Sequence, residues 1–313
     1  MIQLNRRSLL LGLPALCLAQ TALAQQPGQE APPGAYRQRF EKPPEYRIFD
    51  TPLQSHVLSR HDVTVEGHGY RLFVAIPRSP APEQGWPSLW MLDGNSVFDR
   101  LTAADLESHP GLVVIGVGYP LDQSFDTTAR ALDYTPVSLT PNPEGGPGGG
   151  RGRETGGADA FRARLTGPLR QRVEGLAPLD PARRVLWGHS YGGLFTLHCL
   201  LSEPQAFAGW APISASTGFG GGVLRQMLEL APRLPAGQRA PVRIMLGDSE
   251  RRRGSDASIK TRPNPETIAL ADLLRQREDL EVEVTVFAGL GHGQTFTASF
   301  PQVLDLAASI RPA

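Results

Sequence analysis

Five short apolar runs recur along the chain, at Ser88–Leu92, Leu112–Val117, Arg184–Trp187, Gly209–Ile213 and Val242–Leu246. Each is too short for a buried helix and apolar on both faces, as central strands of a parallel sheet are when helices cover both sides. Helical signals fall between and after them. Asn264-Pro265-Glu266 supplies a cap and a first-turn proline before Ile268, Leu270, Leu273 and Leu274, and residues 298–310 read as a final helix with Pro301 near its start. Upstream, Val63–Val65 and Arg71–Ile76 flank the turn signal Gly67-His68-Gly69 and read as an antiparallel hairpin. Val282, Val284 and Val286 alternate with Glu281, Glu283 and Thr285, the pattern of a strand near the sheet edge. The pattern is that of an α/β fold: a mostly parallel sheet, an N-terminal hairpin and helices on both faces.

The first 24 residues do not belong to that pattern. Arg6-Arg7 precede a short apolar run from Leu9 to Ala19, and Ala22-Leu23-Ala24 forms a small-residue exit, so 1–24 reads as a signal peptide. Asn5-Arg6-Arg7-Ser8-Leu9-Leu10 is similar to a twin-arginine export signal, which places the mature chain in the periplasm with no stable membrane span. Residues 25–46, rich in Pro, Gln and Glu, are expected to lie extended over the surface. The rest, 25–313, reads as one domain interrupted by a glycine-rich loop insertion at about 137–157, with eight glycines between 145 and 157. Basic and acidic residues balance at 31 each, which leaves no electrostatic footprint for nucleic acid. The cysteines are Cys17 and Cys199, which excludes a disulfide scaffold; Cys199 sits in an apolar stretch and reads as packing.

One motif carries chemistry. Gly188-His189-Ser190-Tyr191-Gly192 lies between the strand ending at Trp187 and an apolar helix. A serine at such a strand–turn–helix elbow is exposed for nucleophilic attack, and the flanking glycines permit the close backbone approach that the turn requires. The base is then a histidine after the last strand, and His292 in Gly289-Leu290-Gly291-His292-Gly293 meets that requirement. The acid falls after the preceding strand, in Gly247-Asp248-Ser249-Glu250, with Glu250 the first candidate and Asp248 the alternative. Two backbone N–H groups are needed for the oxyanion: Tyr191, after the nucleophile, and Asn95, in the turn Asp93-Gly94-Asn95-Ser96. No cofactor or metal is called for.

Met91–Asn95, Gly188–Phe195 and Gly289–Gly293, in this order, resemble the three landmarks of the putative-esterase, esterase D-like branch of the α/β hydrolases. The resemblance covers residues 45–311 and implies the α/β-hydrolase fold. Within that branch, Arg130-Ala131-Leu132-Asp133-Tyr134-Thr135-Pro136 is similar to a segment of the periplasmic esterases for enterobactin and salmochelin. The likeness implies a serine esterase that opens a catecholate siderophore trilactone in support of iron acquisition, with a small-molecule ester, free or as its ferric complex, as partner. Arg130, Tyr134 and His189 are the expected substrate-binding residues, with Arg151 and Arg153 assisting. An arginine fork suits the phenolate oxygens of a catecholate. Ser214-Ala215-Ser216-Thr217-Gly218-Phe219-Gly220 lacks the paired aromatics usual there in that subgroup. This departure keeps a general carboxylesterase as the alternative, and a non-catalytic siderophore-binding protein as a third reading.

Overall fold

The computed structural model describes residues 43–140, 153–250 and 262–311. The signal segment and most of the glycine-rich stretch, Arg151 included, lie outside the described residues. The strands are β1 (His56–Val65), β2 (His68–Pro77), β3 (Trp86–Leu92), β4 (Val113–Gly118), β5 (Leu179–His189), β6 (Gly209–Ile213), β7 (Ala240–Gly247) and β8 (Leu280–Phe287). The helices are α1 (Gly94–Arg100), α2 (Ala103–Glu107), α3 (Ala129–Asp133), α4 (Ala158–Arg164), α5 (Arg170–Glu174), α6 (Tyr191–Ser202), α7 (Val223–Leu230), α8 (Pro265–Arg275), α9 (Thr295–Ala298) and α10 (Phe300–Ser309). No helix among the described residues is long and apolar enough to cross a membrane.

All eight strands form one sheet in the order β1-β2-β4-β3-β5-β6-β7-β8. β2 runs antiparallel to β1 and β4, and the remaining neighbours are parallel. This is the α/β-hydrolase arrangement expected from the sequence. The hairpin is longer than the apolar residues alone mark, because β1 is an edge strand whose polar residues face water. Its turn is Glu66-Gly67, both with positive φ (51° and 80°), and His68 and Gly69 already belong to β2. β8 forms the other edge and keeps its alternating exposure.

Strand periodicity divides the interior into two cores. Leu89 and Met91 of β3 and Val185 and Trp187 of β5 face the layer holding Phe98 of α1 and Val303 and Leu304 of α10. Trp90, Leu92 and Leu186 face the other layer, with Phe161 of α4 and Phe195 and Leu200 of α6. The expected cap of α8 is present: Asn264 Oδ1 accepts the Glu266 amide at 2.9 Å. The last helix is shorter than the sequence marks, since the chain makes the single turn α9 before Pro301 helps start α10. The order of strands reverses at β3, with β4 on one side and β5 on the other. The carboxyl ends of β3 and β5 are therefore neighbours, and such a crevice is where open α/β sheets place their sites.

Candidate active site

Ser190 follows β5 directly and holds φ 61°, ψ −113°, a conformation that L-residues rarely adopt and that concentrates at functional sites. The turn is closed by contact. A Cβ on Gly188 would lie 2.2 Å from the carbonyl oxygen of Gly192, so only glycine fits two residues before the serine. Hydrogen bonds from the Ser190 amide to Ile213 O (2.9 Å) and from the Leu194 amide to Ser190 O (2.9 Å) fix the elbow between β6 and α6. The Tyr191 amide opens α6, at the end of a helix where N–H groups point outward.

His292 lies on the loop after β8, and its Nε2 is 3.0 Å from Ser190 Oγ. Its Nδ1 is 3.2 Å from Glu250 Oε2. A carboxylate accepts, so Nδ1 carries the proton and Nε2 presents its lone pair to the serine hydroxyl. Glu250 is held in turn: its Oε1 accepts the Gly247 amide at 2.7 Å and the Ser214 hydroxyl at 2.5 Å. Burial opposes the charge on Glu250, but the hydrogen bonds from His292, Ser214 and Gly247 outweigh it and hold the carboxyl below its usual range. Asp248 does a different job. Its Oδ1 accepts the Gly289 amide at 2.7 Å and the Ser249 hydroxyl at 2.9 Å, which staples the loop after β7 to the histidine loop without touching the imidazole.

The three residues expected to bind substrate all make contacts within the frame. His189 is 6% exposed; its Nε2 donates to the His292 carbonyl at 2.8 Å, supporting the histidine loop from below. Burial and the neighbouring His292 push its pKa well down, so it is neutral. Tyr134 is fully buried among Tyr119, Phe161 and Phe195, and its hydroxyl accepts the Asp93 amide at 3.1 Å. Arg130 is drawn to Asp93, its Nε 2.8 Å from Oδ1 and its Nη2 2.9 Å from Oδ2, because a carboxylate with 1% side-chain exposure demands a counter-charge. Asp133, which the shared segment places near it, instead accepts hydrogen bonds from Tyr70 and Tyr119 and pairs with Arg164. Arg153 is half-buried at the start of α4's approach.

Asn95 sits in the second residue of α1. Its carboxamide is committed away from the serine, Nδ2 to the carbonyls of Tyr119 (3.0 Å) and Leu121 (3.1 Å) and Oδ1 to the Tyr119 amide (2.9 Å). This lock fixes the start of α1 on the end of β4, where a Cβ on Gly118 would fall 2.1 Å from Asn95 Oδ1. Sequence reasoning missed Ser214, Thr295 and the role of Asp93. Ser214 and Asp93 hold positive φ (44° and 57°), which no composition signal marks, and Thr295 Oγ1 lies 2.6 Å from Ser214 Oγ and 2.8 Å from the His292 carbonyl.

The family model described as "Putative esterase" matches residues 65–229. The chain belongs to this family. Ester hydrolysis is thus its reaction class, and the matched span runs from the end of β1 through the Ser190 elbow into α7. Among relatives of this esterase family, apo-salmochelin esterase of Escherichia coli is 32% identical over 238 residues, 75% of this chain and 73% of the relative. The ferri-bacillibactin esterase BesA of Bacillus subtilis is 29% identical over 238 residues, 72% of this chain and 80% of the relative. Among solved structures, the enterobactin hydrolase IroE in complex with DFP is 30% identical with a TM-score of 0.68, covering 84% of this chain and 99% of IroE.

Proposed function

We propose that this chain is an exported serine esterase that hydrolyses the ester bonds of a catecholate siderophore trilactone. The relay Ser190 Oγ–His292 Nε2, His292 Nδ1–Glu250 Oε2 at the crevice between β3 and β5 is the observation that carries the reading. The substrate class rests on the names of its relatives, which act on salmochelin, bacillibactin and enterobactin. The periplasmic location rests on the reading of residues 1–24 as a twin-arginine-like signal.

In the proposed mechanism His292 takes the Ser190 proton as Oγ attacks an ester carbonyl of the ring. The amides of Tyr191 and Asn95 stabilise the oxyanion. Collapse breaks the acyl–oxygen bond, and His292 returns the proton to the departing alcohol. Water, deprotonated by the same imidazole, then releases the acid from the acyl-enzyme. Glu250 keeps the imidazole in the productive tautomer and stabilises the imidazolium.

One observation favours broader ester specificity: Phe219, the aromatic residue of the 214–220 segment, is buried and packs edge-on against Tyr191 at 5.9 Å. It builds no aromatic wall for a catechol ring. Steady-state hydrolysis of enterobactin, iron-free and iron-loaded, beside 4-nitrophenyl acetate separates the two readings. A kcat/KM for either form of enterobactin at least about 10²-fold above that for the aryl ester is the expected result. Comparable values would make the enzyme a general carboxylesterase.

A further inference from the structure

A carboxylate that orients a histidine through one oxygen must itself be held through the other. We propose that Ser214 is the positioning residue of Glu250, acting in a closed hydrogen-bonded ring that Thr295 and His189 complete. The inference rests on the Ser190–His292–Glu250 mechanism above.

The ring can be traced atom by atom. From His292 Nδ1 it passes to Glu250 Oε2 (3.2 Å), and from Glu250 Oε1 to Ser214 Oγ (2.5 Å). It continues from Ser214 Oγ to Thr295 Oγ1 (2.6 Å), which lies 2.8 Å from the carbonyl oxygen of His292 itself. The path begins on the imidazole and returns to the backbone of the same residue, so it fixes the ring against the loop that carries it. Proton counting gives each link a direction. An ionised Glu250 accepts, so His292 Nδ1 and the Ser214 hydroxyl both donate to it. Ser214 has then spent its one proton, and the 2.6 Å contact is a hydrogen bond when Thr295 donates. His189 closes the ring, its Nε2–H shared between the His292 carbonyl (2.8 Å) and Thr295 Oγ1 (3.2 Å). Hydroxyls donating in one direction along such a chain polarise one another towards the carboxylate.

The backbone of Ser214 is a second, independent observation. Its φ of 44° lies in the left-handed region, which glycine adopts without steric cost and serine does not. The Ser214 amide donates to Met245 O at 2.7 Å, anchoring this turn at the end of β6 to β7, the strand that leads to Glu250. Ser214, Thr295 and His189 are all buried, so bulk water does not stand in for a lost hydroxyl. A strained residue that a glycine would relieve is thus held at the one place from which a hydroxyl reaches Glu250 Oε1.

That strain makes the role testable, because Ser214→Gly removes the hydroxyl while suiting the turn. Ser214→Gly, Ser214→Ala, Thr295→Val, Glu250→Gln and the double variant Ser214→Gly/Glu250→Gln are assayed on 4-nitrophenyl acetate, each shown by urea unfolding to be folded under assay conditions. Both Ser214 variants are expected to lose about 10- to 10²-fold in kcat with KM within about threefold, and Thr295→Val about 3- to 10-fold. The double variant is expected to match Glu250→Gln within about twofold, because the hydroxyl acts through the carboxylate and has nothing left to position. A purely structural serine would instead give losses that multiply. Wild-type kcat in Ser214→Gly beside an impaired Glu250→Gln overturns the proposal and leaves the mechanism standing. Multiplying losses in the double variant overturn it too. Wild-type turnover in Glu250→Gln, or near-native turnover in Ser190→Ala, overturns the mechanism and the proposal together.

Discussion

At the scale of single residues, the site separates groups by what their lone pairs and protons are already doing. Glu250 and Asp248 lie two residues apart in one loop, yet only Glu250 reaches His292, while Asp248 is spent on the Gly289 amide. Glu250→Gln is therefore expected to lower kcat by about 10²-fold or more, since an amide no longer fixes the imidazole tautomer. Asp248→Asn leaves kcat within about threefold. Steady-state assay of the two variants checks this, and wild-type turnover in Glu250→Gln would reduce the site to a Ser190–His292 dyad. Turn chemistry and strand order single out Ser190, His292 and the turn holding Glu250 in the sequence, and the fold brings these side chains within hydrogen-bond distance. The contacts of Arg130 and Tyr134 with Asp93 were not legible: it is 37 and 41 residues away, and no local pattern announces the direction of a side chain that finds so distant a partner.

The elements themselves were readable where burial is two-sided. β3, β4 and β6 are fully buried and coincide closely with the apolar runs, whereas β1 and most of β2's start mix polar residues and were marked only in part. The elbow between β5 and α6 depends on an atomic fit rather than on propensity. Gly188→Ala pushes a methyl into the Gly192 carbonyl and is expected to destabilise the fold by about 1–3 kcal/mol and abolish turnover. Gly167→Ala is the control: a Cβ there meets nothing within 4 Å, so its effect stays within about 1 kcal/mol and turnover is unchanged. Urea unfolding of both variants measures the contrast, and equal stability would show that the elbow relaxes around a side chain.

For the whole molecule, the sheet order does the assembling: loops after β3, β5, β7 and β8 converge although Ser190 and His292 are 102 residues apart. The same packing buries His56, His189 and His198, and burial lowers the pKa of each. The folded state thus binds fewer protons than the unfolded chain once the pH drops below about 6.5, and stability falls with falling pH by up to about 1.4 kcal/mol per pH unit for each proton taken up. Calorimetric unfolding near pH 5.5 in buffers of different ionisation enthalpy is expected to show net proton uptake, where proton release would contradict that account. The central claim, a serine made nucleophilic only by the converged loops, is tested most directly by DFP labelling and peptide mapping of the folded and urea-unfolded protein. One stoichiometric adduct on Ser190, formed in the folded protein, lost on unfolding and slowed at least about 10²-fold in His292→Ala, is the result predicted. An unlabelled Ser190 in folded protein that still hydrolyses esters, or labelling that survives unfolding, would contradict it.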